Sequence, residues 1–559
     1  MGLPMSQFDK HDMDPLGLIK LDVLGVRMMS SISHAVEEHR RLTGETIDLD
    51  RIPLDDPATF DMLCSTRTLG VFQLESPGQM ELIGKLQPRS FNDITVEISL
   101  FRPGPMEANM PLHYLQARHG ETNPDYIDAR FRPFLTETNG VVVYHEQVMR
   151  MIDALTGDGL GHADVLRRHL GKPEHLAALG DYIIGKALTR GFPRKVAERA
   201  WKVLSGFGNF GFAKAHGAAF AITTYRSAWL KQHHPAVFFA GLLTHDPGMW
   251  PKDLIIAEAR NLGVTMLPLD VQHSGLQYRV EILDHGRHAI RLALGELPGS
   301  SAAERQRIAE HQPFTSLQDF RDRVRPKRRT FEALARIGAL DAFIDYNRDL
   351  RGALLAHIHA LTGAVQTVTG TQLAFDLDLP TPRYANTVSL ELRGRTQTDL
   401  ELAGMGLTVT RHQMEQFHDL FRNIGVTPAS KLLDLPGGSE VLVAGVRRAT
   451  HTPPMRGGTG RVVFCSLDDG TGPVTQVVFF TDVQARIGAA AFHTHYMLVR
   501  GTTRRTGARG ISITGEEVWD LHDVAHTINQ RKRAEKLASD TATTSLDIGH
   551  VYELFEKRA

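Results

Sequence analysis

The chain has 559 residues, a formal net charge of −1 and two cysteines, Cys64 and Cys465. Apolar residues make up 42% and charged residues 23%, a balance typical of globular proteins and not of disordered or fibrous ones. The cysteine count excludes a disulfide framework and a cysteine-based zinc site. The length predicts about three to five domains. No apolar run reaches the roughly 18 residues that a membrane span needs, and the start is no signal peptide, so we expect a cytoplasmic protein.

The first predicted elements are a strand and a long series of helices. Residues 1–30 contain GLIKLDVLGVRMM, which predicts a strand and a turn at Gly25. From about residue 31 to 270, segments such as HEQVMRMIDAL and HADVLRRHL have apolar residues at three- and four-residue spacing, which predicts helices. The segments VTMLPLDV, LQYRVEIL and HAIRLAL then alternate like strands, and residues 295–345 return to short helices.

A predicted linker separates these elements from a β-rich part. Residues 363–400 are rich in Thr and Pro and have weak periodicity. Beyond residue 438, five alternating segments are separated by Gly and Asp turns, which favours a small closed barrel. These segments are EVLVAGVRRA, RVVFCSLDD, PVTQVVFFTD, HYMLVRGTT and GISITGEEV. The tail from about residue 526 is charged and is predicted to be helical.

The strand in IKLDVLG places Lys20 and Asp22 on the same face, because side chains alternate along a strand. A carboxylate beside a lysine on one sheet face could hold a divalent metal ion and a phosphate. A solvated ion pair on the surface of the strand is the alternative interpretation, and the motif alone does not separate the two.

Three segments of the helical region carry residues suited to phosphate binding. Arginine forks match phosphate geometry and lysine adds a point charge. The candidates are Arg102 in LFRPGP, Arg167, Arg168 and Lys172 in HADVLRRHLGK, and Lys214 and His216 in GNFGFAKAHGAAFA. Each segment is also typical of a solvated helix face or a tight packing site. Their occurrence in one helical region favours a phosphate site.

These segments together resemble, in the same order, those of the bacterial replicative polymerase alpha subunits, which are family C DNA polymerases. The matching segments are IKLDVLG, GVFQLESPGQMELIGKLQP, LFRPGP, VVYHEQVMRMIDALTG, DVLRRHLGKP, GFAKAHGAAFAITTYRSAWLKQHHPAVFFAGLL, LPLDV, LGELPG, LARIGALDAF and LDDGTG. The resemblance extends from residue 1 to about residue 525. His145 in YHEQVM departs from the Gln of many family members, as a divergent, error-prone paralogue would.

The resemblance implies a multidomain α+β protein with mainly α-helical fingers, a helix-hairpin-helix region and a C-terminal OB-fold β-barrel. The implied parts are the end of the palm (1–30), the fingers (31–270), a clamp-binding region with the helix-hairpin-helix (271–360), a linker and helical segment (361–434), the OB fold (435–525) and the tail (526–559). We expect the N-terminal phosphoesterase domain and most of the palm of the family to be absent from this chain.

The implied chemistry is template-directed phosphoryl transfer. A primer 3′-hydroxyl attacks the α-phosphate of a deoxynucleoside triphosphate, assisted by two Mg²⁺ ions. Asp22 matches the third metal-binding aspartate of the family, with Lys20 beside it. Arg167, Arg168 and Lys172 match basic finger positions expected to contact the triphosphate.

The paired aspartates that precede this position in the family have no counterpart here. Asp9, Asp12 and Asp14 lie in the polar stretch before the third aspartate, and we do not expect them to replace the pair. One carboxylate cannot hold two metal ions against water, so the Mg²⁺ site of this chain is expected to be incomplete. We therefore expect the chain alone to lack polymerase activity.

Two segments predict contacts with duplex DNA. LGELPGSSAAERQRI has the form of a helix-hairpin-helix turn at Pro298, Gly299 and Ser300, whose following helix can bind a phosphate with backbone N–H groups. RDRVRPKRR concentrates six cations, which favour salt-sensitive binding without sequence preference. They are Arg321, Arg323, Arg325, Lys327, Arg328 and Arg329, of which Arg325, Lys327 and Arg328 are the candidates for DNA contact. A solvated arginine-rich loop is the alternative.

The barrel and the linker carry two further candidate sites. OB folds bind single strands by stacking bases on aromatic rings in a basic groove. The candidates are Phe464, Phe479, Phe480, Arg447, Arg448 and Arg461; Phe479 and Phe480 are adjacent, so only one can face the groove, and we assign Phe479 to it. A barrel with buried phenylalanines is the alternative. By the resemblance, the sliding clamp would bind TQLAFDLDL through Gln372, Leu373 and Phe375, although the spacing is one residue short.

Two hypotheses of different class follow. In the first, the chain is part of a working DNA polymerase for replication or error-prone repair synthesis. Its partners are primer–template and single-stranded DNA, deoxynucleoside triphosphates, the sliding clamp and a separate chain with the rest of the palm. In the second, the chain is a non-catalytic DNA-binding accessory protein.

Overall fold

In a computed structural model, the described residues are 7–9, 12–13, 15–19, 25–101, 109–207, 212–344, 351–363, 392, 395–453, 460–505 and 510–538. Helices dominate up to residue 424, and strands dominate from residue 440 to residue 520. This confirms the predicted combination of a mainly helical body with a C-terminal β-barrel. Within the described ranges, no helix combines the length and the apolar composition that crossing a bilayer requires.

The α-helices of the body follow one another with short connections. They are α1 (Arg27–Thr43), α2 (Pro57–Cys64), α3 (Pro77–Leu86), α4 (Phe91–Leu100), α5 (Met110–Arg118), α6 (Arg132–Leu135), α7 (His145–Thr156), α8 (Leu160–His169), α9 (Leu176–Thr189), α10 (Arg194–Gly206), α11 (Lys214–His233), α12 (Pro235–His245) and α13 (Lys252–Asn261). The predicted strand before Gly25 falls largely on residues 20–24, which lie outside the described residues, and the chain is helical from Arg27 onward.

Local sequence signals set the ends of these helices. Asp56 caps α2 by accepting the N–H of Thr59, and Ser90 and Asp93 form a reciprocal capping box at the start of α4. α7 ends at Gly157, whose φ of 74° is left-handed, and α8 starts three residues later. After this short connection α7 and α8 pack together, since Val148 and Met151 of α7 share an apolar cluster with Ala163 and Leu166 of α8.

The body packs around α11 and α12. Gly241 of α12 allows the backbone of α1 to approach closely, because a Cβ there would lie 2.3 Å from the carbonyl oxygen of Ser31. Lys231 of α11 is fully buried, and its Nζ donates to two carbonyl oxygens of the loop after α2 and to Glu258 of α13 at 2.8 Å. Complete hydrogen bonding of this kind is what allows a lysine to be buried.

A small mixed sheet follows the body. In it β3 (His288–Arg291) lies between β1 (Thr265–Leu267), which is parallel to it, and β2 (Arg279–Ile282), which is antiparallel. The strand-like alternation of this stretch therefore predicted its structure correctly. Further helices are α14 (Ala302–His311), α15 (Leu317–Val324), α16 (Arg328–Ile337), α17 (Arg351–Gly363), α18 (Gln397–Met405) and α19 (His418–Ile424). The segment predicted as a linker contributes the start of α18, while residues 364–391 and 393–394 lie outside the described residues.

Short 3-10 turns connect several elements. They are Ala129–Phe131, Thr136–Thr138, Pro173–His175, Asp284–Gly286, Leu294–Glu296, Asp341–Ile344, Glu415–Phe417 and Ala429–Asp434.

The five predicted β segments form a closed barrel with the strand order β4-β5-β6-β8-β7. The strands are β4 (Glu440–His451), β5 (Val463–Asp468), β6 (Thr475–Phe479), β7 (Tyr496–Arg505) and β8 (Ile511–Asp520). Neighbours are antiparallel except β6 and β8, which are parallel. Two short helices, α20 (Thr481–Ile487) and α21 (Ala490–His493), connect β6 to β7, and α22 (Leu521–Ala538) follows β8 directly. The barrel is OB-like, as predicted.

Helical segments cover one outer face of the barrel. Leu442, Ala444 and Val446 of β4 belong to the same apolar cluster as Phe417 before α19 and Leu521 of α22. This outer face is therefore buried against protein. The β5–β6 side does not belong to that cluster and keeps the half-buried Phe464 on its surface.

A buried ion network joins the barrel to the body. Arg448 of β4 pairs with Asp253 of α13, and its Nε and Nη2 donate to Oδ2 of Asp468 at 2.9 and 2.8 Å. The Nε2 of His412 lies 3.0 Å from the same oxygen. The Arg448 and Asp468 side chains are only 5% and 2% exposed. Burial alone would raise the pKa of Asp468, but the neighbouring His412 and Arg448 hold it well below its usual range.

Replacing Arg448 with methionine should destabilise the protein strongly, because Asp253 and Asp468 would stay buried without their cation. We expect a loss of about 3 kcal/mol or more in the unfolding free energy of the transition that includes the barrel, followed by chemical denaturation. Arg447→Met is the matched control, since the side chain of the half-buried Arg447 donates to Thr494 O and Thr450 Oγ1 and has no ion pair among the described residues. Equal losses for both variants would contradict the importance of the network.

A second buried carboxylate, Glu304, organises the helices after the small sheet. It closes a capping box with Ser301 at the start of α14 and accepts the backbone N–H of Lys327 at 2.8 Å, just before α16. Burial opposes ionisation, but these hydrogen bonds outweigh it and lower the pKa of Glu304 to about 2 from an ordinary value of 4.5.

Replacing Glu304 with glutamine should therefore destabilise the protein at neutral pH. Because folding lowers the pKa of Glu304, its ionised carboxylate contributes fully to the unfolding free energy above pH 4.5. This contribution is lost as the pH falls toward 2. The difference in unfolding midpoint between wild type and Glu304→Gln should shrink over this range. Glu310→Gln, an exposed change on the same helix, should show no such pH-dependent difference. A constant difference from pH 7 to pH 3 would count against this role.

Candidate nucleic-acid interface

Some predicted site residues lie outside the described residues. They are Lys20, Asp22, Arg102, Gln372, Leu373 and Phe375. Their predicted roles in metal, phosphate and clamp binding stay predictions. Among the residues that the structure does describe, no group of three or more His, Cys, Asp or Glu side chains is arranged to hold a metal ion.

The finger arginine pair, Arg167 and Arg168, lies in the last turn of α8. Both side chains bind the carboxylate of Asp164, which lies three residues before Arg167 and four residues before Arg168 on the same helix. Arg168 is the more open of the two, with 70% of its side chain exposed against 21% for Arg167. Lys172 follows as an exposed residue directly before the 3-10 turn at residues 173–175. The structure thus brings the three predicted cations of this segment to one end of α8.

Lys214 and His216 lie in the first turn of α11. Lys214 forms an ion pair with Glu137, and its backbone N–H donates to the carboxylate of Glu146 on α7 at 3.1 Å. Its Nζ also lies 5.8 Å from the centroid of the Tyr144 ring. The exposed His216 packs between aromatic rings of its own segment. Lys214 is therefore partly neutralised before any ligand binds.

The small residues around Lys214 also have a packing role. A Cβ on Gly217 would lie 3.0 Å from Oγ of Ser99 and 3.3 Å from Cγ2 of Thr95, both on α4. Gly217 is buried, so α11 and α4 approach closely at this point. For this glycine the packing interpretation of the segment is correct.

The predicted hairpin at Pro298, Gly299 and Ser300 leads into α14. Pro298 and Gly299 are exposed, and Gly299 has a left-handed φ of 79°. Arg305 fastens the turn by donating to the Ser300 carbonyl oxygen at 2.6 Å. The capping box occupies the N–H groups of Ser301 and Glu304, so the N–H groups of Ala302 and Ala303 between them are the ones at this helix start that can receive a phosphate.

The basic cluster after the hairpin divides into paired and unpaired cations. Arg321, Arg323 and Arg328 form ion pairs with Asp322, Asp319 and Glu332, respectively. Arg325, Lys327 and Arg329 are exposed, and their side chains have no ion pair within the described part of the chain. We call these three residues the hairpin cations. Arg328, a predicted DNA contact, is already paired with Glu332, whereas Arg329 has no ion pair in the described part of the chain.

The barrel contradicts one predicted DNA contact. Phe479 is fully buried in the barrel core, where its ring lies 2.2 Å from the position of a Cβ on Gly515. The prediction that Phe479 faces a groove is therefore wrong, and its neighbour Phe480 is the half-exposed member of the pair. Strand alternation required that one of them be buried, and only the barrel's closure decided which.

The other barrel candidates differ in their solvent exposure and in their contacts within the protein. Phe464 lies half-exposed on β5, between His451 of β4 and Val478 of β6. Arg461 is exposed and donates one bond, to the carbonyl oxygen of Thr452. Arg447 is half-buried and bonded within the barrel, while Arg448 belongs to the buried ion network. Phe464 and Arg461 are the candidates that remain accessible.

Sequence reasoning missed the acidic partners of these cations. Asp164 and Glu332 lie three or four residues from the arginines that they bind, a spacing that faces side chains toward each other on a helix. That spacing could have identified both pairs. Glu137 and Lys214 are far apart in the chain, so no local signal could have found their contact.

Two family models match the parts that carry these sites. The model of the bacterial DNA polymerase III alpha subunit finger domain matches residues 28–190, which include the finger arginine pair. A helix-hairpin-helix motif matches residues 263–350, which include the hairpin and the hairpin cations.

Curated relatives match most of the chain. It is 34% identical over 500 residues to the DNA polymerase III subunit alpha of Thermus aquaticus, covering 86% of this chain and 40% of that protein. It is 32% identical over 514 residues to the error-prone DNA polymerase of Teredinibacter turnerae (90% and 48%). It is 33% identical over 532 residues to that of Nocardia farcinica (92% and 45%). The chain spans less than half the length of these relatives. Together with the order of its motifs, these matches show that the chain carries a DNA polymerase III alpha subunit finger domain and is similar over most of its length to bacterial DNA polymerase III alpha subunits and error-prone DNA polymerases.

Proposed function

We propose that the chain forms the fingers and DNA-binding parts of a template-directed DNA polymerase. The observation that carries this proposal is the finger-domain match over residues 28–190 together with the gathering of Arg167, Arg168 and Lys172 at one end of α8. In such an enzyme a primer 3′-hydroxyl displaces pyrophosphate from a deoxynucleoside triphosphate. Guanidinium and ammonium groups stabilise the charge on the triphosphate oxygens and hold them in place.

The cations of the fingers would divide this work. Arg168 and Lys172 are the most accessible and would meet the triphosphate first. Arg167 would support Arg168 from the half-buried side of the helix. Lys214 would have to exchange its pair with Glu137 for a phosphate. Arg102 and Lys20 stay candidates for the same ligand.

Polymerase chemistry uses divalent metal ions, and we propose Mg²⁺ with Asp22 as the ligand from this chain. A two-metal site needs several oxygen ligands. The described residues provide no such group, so the roles proposed for them are limited to binding.

The chain alone should not extend a primer in the presence of Mg²⁺ and deoxynucleoside triphosphates, because one aspartate cannot hold both metal ions. Primer extension by the purified chain measures this directly. Adding a polypeptide that carries the paired aspartates of a relative's palm should restore extension. Extension by the chain alone that disappears in Asp22→Ala would contradict the expected inactivity, whereas extension that survives this change would indicate a contaminating polymerase.

A second candidate function is that of a non-catalytic DNA-binding protein. This function is favoured by the hairpin and the hairpin cations, which can bind duplex phosphates without any metal site. Binding of duplex DNA is expected under both functions. Restoration of extension by the added palm polypeptide separates them, since an accessory protein would bind DNA and yet restore nothing.

Changing the hairpin cations Arg325, Lys327 and Arg329 together to glutamine should weaken duplex binding and reduce its salt dependence. Each lost phosphate contact on duplex DNA lowers the slope of log K against log salt concentration by about 0.9. Fluorescence anisotropy over a salt series measures both quantities. The triple change of Arg51, Arg89 and Arg422 to glutamine removes the same charge from exposed, ion-paired sites and is the control. Equal slopes for the two triple variants would reject the assignment.

Two further partners complete the proposal. Single-stranded DNA would stack a base on the half-exposed Phe464 of β5, near the exposed Arg461 that precedes this strand. The sliding clamp would bind the segment with Gln372, Leu373 and Phe375. Each contact would increase the affinity of the protein for a primed template.

A further inference from the structure

The finger arginine pair has an arrangement that its sequence position alone would not produce. Consecutive residues of an α-helix point about 100° apart, so Arg167 and Arg168 would normally diverge. Asp164 lies three residues before one and four residues before the other, and both positions face it. Its carboxylate therefore stands where it can reach both side chains.

The two guanidinium groups bind Asp164 in the same manner. Arg167 donates from Nε and Nη2 to Oδ1 at 3.0 and 2.8 Å. Arg168 donates from Nε and Nη2 to Oδ2 at 3.1 and 2.7 Å. Each arginine therefore occupies one oxygen, and both turn the Nη1 end away from the carboxylate. Within the described part of the chain, neither Nη1 group has a hydrogen-bond partner.

We infer that Asp164 is a positioning residue that gathers Arg167 and Arg168 so that one polyphosphate can contact both Nη1 ends. The inference rests on the proposed triphosphate site and deepens it. Arginine side chains lose considerable rotamer freedom when a ligand immobilises them. Asp164 restricts that freedom in the unbound protein, so less is lost on binding. The guanidinium groups of Arg167 and then Arg168 also hold the pKa of Asp164 below its ordinary value, so it stays ionised near neutral pH.

Simple electrostatics predicts the opposite effect for this residue. A carboxylate close to a bound polyanion repels it, so removing Asp164 should strengthen binding if only net charge matters. If Asp164 positions the arginines, its removal should weaken binding although the site becomes more positive. The sign of the change therefore separates the two explanations.

The test measures binding of tripolyphosphate to the full chain by calorimetry, at low salt and without a metal ion. Asp164→Asn should weaken binding by roughly fivefold or more, because a neutral amide has one acceptor oxygen and cannot hold both guanidinium groups. Asp164→Glu, which keeps the charge and both oxygens, should recover most of the affinity. Orthophosphate, which carries less charge and fewer oxygens, should be affected less than tripolyphosphate.

Two further variants make the result interpretable. Asp181→Asn removes an exposed carboxylate on the neighbouring helix α9 and is the charge-matched control. It should bind tripolyphosphate as well as wild type or slightly better. Arg167→Gln/Arg168→Gln tests the site itself and should lose most of the binding. Circular dichroism checks that the variants keep their helical content, which we expect because these ion pairs lie within a single helix and are open to solvent on one side.

The outcomes separate the inference from the function on which it rests. If the double arginine variant binds like wild type, the proposed triphosphate site is wrong, and the positioning role falls with it. If the double variant loses binding while Asp164→Asn binds equally or more tightly, the site stands and the positioning role alone is overturned. Weakened binding in Asp164→Asn with recovery in Asp164→Glu supports the role.

Discussion

The buried pairing of Arg448 with Asp253 and Asp468 is the constraint on which the arrangement of the two halves depends. An arginine and two carboxylates removed from water are stable only together, because each alone would keep an uncompensated charge. The network therefore holds β4 of the barrel against α13 of the helical body in one orientation. The network thus links the barrel to the helical body through residues that lie 195 positions apart in the chain.

Pairing between cations and carboxylates also determines which residues of the candidate interface can bind a polyanion. The net charge is −1, so affinity for a polyanion depends on which cations lack an internal partner. Arg321, Arg323 and Arg328 are neutralised by neighbouring carboxylates, whereas the hairpin cations are left open. In the fingers, a single carboxylate engages two arginines and leaves the group with an excess of positive charge. Internal ion pairs thus select a small set of cations from a chain rich in both signs.

The barrel shows which structural features local sequence patterns can predict and which they cannot. Alternation and turn residues predicted all five strands, because a strand with one buried face must alternate. They could not decide between Phe479 and Phe480, which depends on the register that places Phe479 against Gly515. The same limit applies to Arg447 and Arg448. Their order in the sequence does not show which of them forms the buried ion pairs; in the structure Arg448 pairs with Asp253 and Asp468, whereas Arg447 bonds to Thr494 and Thr450.

The sequence by itself determined the resemblance to bacterial polymerase alpha subunits, the helical and β-rich halves, the hairpin and the residue types that suit phosphate, because these depend on short motifs and local periodicity. Only the tertiary structure decided which cations remain available, which phenylalanine is buried and how the barrel is attached. Those properties depend on contacts between residues distant in the chain, such as Lys214 with Glu137 and Arg448 with Asp253. For Asp164 both sources are needed. The sequence shows its spacing from Arg167 and Arg168, but only the three-dimensional structure shows that its carboxylate binds both side chains.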